Sequence, residues 1–227
     1  MSKHIDELDF PGIRTRWIFL GLVTGEMAVA ALINHRVLTD QVYLSLLPAG
    51  IMPWQAEEYI ALARRWEILG YTLTPLGLLT RVGGVTLLIQ LVLLPAGFDP
   101  GFARIFRAST WGYLILLSGT AIQAVWLLHL PPAGISAEVL SNPPGSLVGI
   151  ISRFFAMPTG GEAATLAVLL RQVTVFDLGW IMVITLALEG RTTIPAGIAF
   201  TAVAFVWTTV TFTRWAILMY LLRSGWI

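Results

Sequence analysis

The sequence predicts an all-α integral membrane protein, a bundle of about five transmembrane helices with interfacial amphipathic helices beside it. Three observations carry that expectation. Of the 227 residues, 56% are hydrophobic and 12% charged, about half the charged share of a typical soluble domain. The mean hydropathy is +0.79. Apolar stretches near the roughly 20 residues needed to cross hydrocarbon recur along the chain, separated by Pro, Gly and charged segments. Nine Trp, eleven Phe and five Tyr fit helices anchored by aromatic rings at the headgroup level.

The tail 1–16 is polar and of mixed charge (Lys3, Asp6, Glu7, Asp9, Arg14, Arg16). It lacks the basic start, short apolar run and small-residue cleavage site of a signal peptide, so it is expected to stay on the mature chain. From residue 17 to 227 a single five-span domain is expected. The first span covers about 17–34, with Glu26 at its middle. Pro48, Gly50 and Pro53 then break the chain before WQAEEYIALARRWEIL, residues 54–69, which mixes apolar and charged positions in the manner of an interfacial helix. The second span is about 76–96 and contains Arg81; the connector 97–108 reads as a tight turn and a brief surface helix. The third span, about 109–130, carries Gln123 and stops at Pro131 and Pro132. Residues 131–172 hold two apolar pieces too short to span alone, which leaves interfacial helices, a re-entrant pair or a stitched sixth span open. The fourth span, about 173–188, has Asp177 near its start, and the fifth, about 195–222, carries Arg214.

Alternating spans put Lys3, Arg14, Arg16, Arg104, Arg107 and Arg191 on the N-terminal side, all in short segments. Arg36, Arg64, Arg65, Arg153, Arg171 and Arg223 lie on the other side, diluted over two long loops. Short basic segments set topology, so the N-terminus is expected in the cytoplasm. Thirteen Arg against one Lys fits a GC-rich bacterial genome as well as any functional reading, and the membrane is expected to be a bacterial inner membrane.

Ionisable groups within spans cost about 2.5–3.5 kcal/mol each on insertion scales and need partners. The formal charges of Glu26, Arg81, Asp177 and Arg214 sum to zero. Arg81 and Asp177 come early in descending spans, Gln123 and Arg214 late in ascending ones, so all four fall toward the face opposite the N-terminus, with Glu26 near mid-depth. Asp177 is then expected to pair with Arg81 or Arg214, or the group lines a polar cavity for a lipid headgroup or small solute. Glu26, flanked by Gly21, Gly25, Ala28 and Ala30, is the residue best placed for a proton-linked role or for a neutral carboxyl bonded to a neighbouring helix.

A net charge of +1 with scattered arginines excludes a nucleic-acid footprint. The chain has no Cys, and His4, His35 and His129 do not converge, so neither metal nor other cofactor is expected. Serine-hydrolase elbows, zinc-protease helices and phosphate loops are missing from the sequence; the nearest glycine-rich pieces, at Gly83 and Gly160, lack the lysine.

Three stretches resemble the bacterial branch of the Yip family, named for Ypt/Rab-interacting proteins: LSLLPAGIMPWQAEEYIALARR, GFDPGFARIFRASTWGYLILL and VTVFDLGWIMVITLALEGRTTIPAGIAF. The resemblance covers about 36–215 and implies five spans, a cytoplasmic N-terminus and a non-enzymatic scaffold or trafficking-type role. Phe176 and Asp177 stand in the inverse of the family's commoner order. The long N-terminal cytosolic domain of eukaryotic relatives has no counterpart, so binding to small GTPases is not implied. The expectation is therefore a scaffold or accessory subunit whose partners are membrane lipids and other integral membrane proteins, in a larger complex or homo-oligomer. The alternative is a small transporter or lipid-handling protein built round Arg81, Asp177 and Arg214.

Overall fold

The computed structural model describes residues 15–47, 51–131, 173–190 and 192–223, together with 134, 135, 139, 145 and 146. Most of the polar tail, and the region in which interfacial, re-entrant or spanning pieces are expected, lie outside the described residues. Among the described residues are six α-helices: α1 Thr15–Leu32, α2 Asp40–Leu46, α3 Pro53–Leu93, α4 Phe102–Leu128, α5 Val175–Glu189 and α6 Ala196–Arg223. The protein is an all-helical membrane bundle, as its composition predicts.

Four stretches are long and apolar enough to cross a membrane: Thr15–Val37, Trp54–Ala96, Phe102–Leu128 and Ala196–Ile217. Their outer surfaces suit lipid. Leu91 is 62% exposed, Leu186 61% and Phe205 59%, which in water would form an aggregating patch. The core is formed where helices meet, with Ile89 and Leu93 of α3, Ile105 of α4, Ile184 and Leu188 of α5 and Val203 of α6 almost fully buried.

Neighbouring helices run in alternating directions. On α4 and α5, Gly112 faces Ile184 and Trp180, Ile115 faces Gly179, and Gly119 faces Phe176. The falling number on one helix against the rising number on the other defines an antiparallel pair. Each glycine receives a large side chain, so the backbones approach closely, as small residues permit between membrane helices. Gly25 of α1 does the same for Leu117 of α4. Between α3 and α4, buried Thr86 donates to Ser109 at 3.4 Å. Thr208, Thr209 and Thr213 bond back to carbonyls of their own helix at 2.8, 2.9 and 2.8 Å.

The structure differs from expectation at two boundaries. The interfacial helix and the second span are one 41-residue helix, α3, that continues through Pro75. Pro75 removes a single hydrogen bond, to the carbonyl of Tyr71, and the contacts of Arg64 and Glu67 described below hold the preceding turns in line. The brief surface helix of the connector is likewise the first two turns of α4. It is set off by a 3₁₀ turn, Leu94–Ala96, and by Gly97 and Gly101 at positive φ of 81° and 80°. The helix α5 falls close to the expected 173–188; its 15 residues, about 22 Å at 1.5 Å each, are short of a hydrocarbon core of about 30 Å. Its first turn lies level with Gly119, about 14 Å before α4 ends at Leu128. There Ser146 forms an isolated antiparallel bridge with Thr174, and the N–H of Val175 donates to the carbonyl of Gly145 at 3.1 Å. Non-helical backbone at that depth is satisfied by protein partners, as the absence of water in a bilayer requires.

Candidate functional site

Glu26 sits on the fourth turn of α1 beside Gly25, which packs on α4, and its side chain reaches α3. One helix away, Arg81 extends its guanidinium to the Glu26 carboxylate at 3.6 Å. The pair is unevenly covered: the Arg81 side chain is 65% exposed and that of Glu26 25%. Behind it Tyr113 of α4, packed against Leu22, Leu78 and Val82, lies within electrostatic reach of Glu26, Arg81 and Arg214.

Asp177 does something else. Its backbone N–H donates to the Thr174 hydroxyl at 3.3 Å, and the Thr174 N–H donates to Asp177 Oδ2 at 2.7 Å. This reciprocal arrangement caps α5, satisfying N–H groups that a helix start leaves unpaired. The Thr174 hydroxyl also donates to Oδ2 at 2.6 Å, and Trp207 Nε1 of α6 donates to Oδ1 at 3.2 Å. With both carboxylate oxygens engaged, the expected pairing of Asp177 with Arg81 or Arg214 is corrected: Asp177 is a helix cap tied to a tryptophan, and Arg81 takes Glu26 instead. The Thr-x-x-Asp spacing of residues 174–177 is the sequence signal for this cap. Replacing Trp207 by Phe should remove one hydrogen bond to a charged acceptor and lower stability by about 1–2 kcal/mol, measured by thermal unfolding of the solubilised protein.

Depth follows from the helix contacts. Gly25 meets Leu117 and Gly119 meets Phe176, so Glu26, its partner Arg81 and Asp177 lie near one level. Trp207 bonds Asp177, and the backbone of Arg214 stands two turns further along α6, about 10 Å nearer the membrane surface. Arg214 is exposed, and Gln123 is half-buried on α4. The structure therefore joins Glu26 to Arg81, holds Asp177 at the same depth in a separate contact, and roots Arg214 two turns higher on α6 with its charge still within reach of Tyr113.

A second polar centre escaped the sequence reading, at the end of the bundle opposite the N-terminus. After α1 a π turn, Ile33–Val37, leaves carbonyls pointing toward α3. Arg64 of α3 donates to the carbonyls of Asn34 and Leu38 at 3.1 and 3.3 Å, to Asp40 at 3.1 Å and to Glu67 at 3.2 Å. Glu67, with a side chain 7% exposed, also accepts from the Tyr71 hydroxyl at 2.7 Å and lies 3.6 Å from His35. Asn34 donates to the same hydroxyl at 3.2 Å. This network fastens α3 to α1 and α2. Its signal in the sequence was the run of charges within 54–69, which amphipathicity alone had accounted for.

No protein-family model, no curated protein and no solved structure matches the chain.

Proposed function

We propose that this chain is a non-enzymatic polytopic membrane protein that works as a scaffold or accessory subunit, associating with other integral membrane proteins and with lipids through the face of α1 and α3 that carries Glu26 and Arg81. The observation that carries this reading is the ion pair itself, set in apolar spans with 65% of the Arg81 side chain open. A guanidinium facing hydrocarbon costs about 2.5–3.5 kcal/mol on insertion scales. A single carboxylate offsets part of that, and a covering protein surface or headgroup offsets the remainder.

The resemblance to the bacterial Yip branch supports a scaffold or trafficking-type role over catalysis. The short basic segments on the N-terminal side support an N-terminus in the cytoplasm, and the resemblance to the bacterial branch supports a bacterial inner membrane. A transporter cavity lined by Arg81, Asp177 and Arg214 has less support, because Asp177 is engaged by Thr174 and Trp207.

The test is gentle solubilisation of the tagged chain, with identification of what copurifies. Native protein should retain a protein or lipid companion in fixed proportion, and Arg81→Ala should retain about tenfold less. Full retention by both Arg81→Ala and Glu26→Gln would end the proposal.

A further inference from the structure

Resting on that reading, we infer that the surface around Glu26 and Arg81 is an isologous interface with a second copy of this chain. Charge complementarity selects the occupant. The exposed pair has no net charge, and an anionic headgroup approaching Arg81 meets the Glu26 carboxylate 3.6 Å from the guanidinium. A complementary surface must carry one cation and one anion at the same depth. Copies inserted with one topology are related by a two-fold axis along the membrane normal, and that rotation preserves depth. Because Glu26 and Arg81 share a level, Arg81 of one copy comes opposite Glu26 of the other, and the reverse, giving two further ion pairs with no new residue required.

The helix face around Arg81 fits this use. Gly77 and Gly84 lie one turn before and one turn after Arg81 on the same side of α3. A Cβ added at either would meet nothing within 4 Å among the described residues. The glycines that serve packing inside the chain behave differently: at Gly25, Gly112 and Gly119 a Cβ would fall 2.6, 2.9 and 2.7 Å from a neighbouring side chain. Gly77 and Gly84 therefore leave space that the described residues do not fill, on either side of a charged group that needs covering, and close approach of a second α3 fills it.

The chain has no Cys, which makes a single introduced thiol an unambiguous reporter. In native membranes, Gly77→Cys should give a dimer-sized adduct with a short thiol-reactive cross-linker. Met182→Cys, on the lipid-facing side of α5 with Met182 58% exposed, should not. Gly77→Leu should weaken self-association about tenfold or more while thermal unfolding of the monomer is not lowered, since a Cβ there meets nothing within 4 Å among the described residues. Dimer adducts at both thiols, or unaltered association of Gly77→Leu, overturn the inference. If a thiol–amine cross-linker joins Gly77→Cys to a different protein, the second copy is wrong and the association reading stands. If Gly77→Cys yields no adduct of any kind and Arg81→Ala keeps every companion, both fail.

Discussion

Replacing Arg64 by Ala is expected to lower stability by about 3 kcal/mol, because it strands Glu67, whose side chain is 7% exposed, without its guanidinium partner. The same change removes donors from the carbonyls of Asn34 and Leu38, the carbonyls that the π turn presents to α3. Tyr71 and His35 remain near Glu67 and hold the loss below that of a fully orphaned charge. Arg64→Lys should fall between native and Ala, since a single ammonium restores the charge but not a planar fork reaching two carbonyls and two carboxylates. Thermal unfolding of solubilised protein ranks the three. Limited proteolysis within α2 and the first turns of α3 locates the damage, because Arg64 ties them to each other through Asp40 and to the carbonyls of Asn34 and Leu38 just after α1.

Gly119→Leu is expected to be at least as damaging, for a different reason. A Cβ at Gly119 would fall 2.7 Å from the Phe176 ring, and Gly112 and Gly179 are similarly filled by Ile184 and Ile115. Overpacking a close helix contact costs about 1–3 kcal/mol for small insertions and more when backbones must part; here α5 would have to leave α4 along its length. The expected result is loss of monodisperse protein after solubilisation. Leu at Gly83, where a Cβ meets nothing within 4 Å among the described residues, should leave yield and stability as they are. Phe176→Ala combined with Gly119→Leu should recover part of the loss, because the cavity from one side chain accommodates the other.

The membrane fold was legible because it rests on hydropathy and length, which single residues report without knowledge of their neighbours. The limits of α1, α4 and α6 follow the apolar stretches within a few residues, apart from the first turns of α4. The continuity of α3 was hidden because Pro75 is a strong local break, while the interactions that override it, centred on Arg64 and Glu67, join residues far apart in sequence. The charged residues in the spans were legible as a set, but their pairing was not. Asp177 and Arg81 do reach a common depth, yet rotation about each helix axis decides which groups meet, and that rotation is set by glycine contacts such as Gly25 with Leu117 and Gly119 with Phe176. The Thr174 cap and the Trp207 indole then take the Asp177 carboxylate, leaving Glu26 for Arg81.

The most direct measurement of this account is charge exchange across the α1–α3 pair, read as retention of companions after gentle solubilisation. Glu26→Arg and Arg81→Glu made singly should each lose association, and the double exchange should restore it to near the native level, since an inverted pair presents the same complementary surface. Native retention in both single variants, or a double variant no better than the singles, would contradict the assignment of this ion pair as the contact surface of the protein.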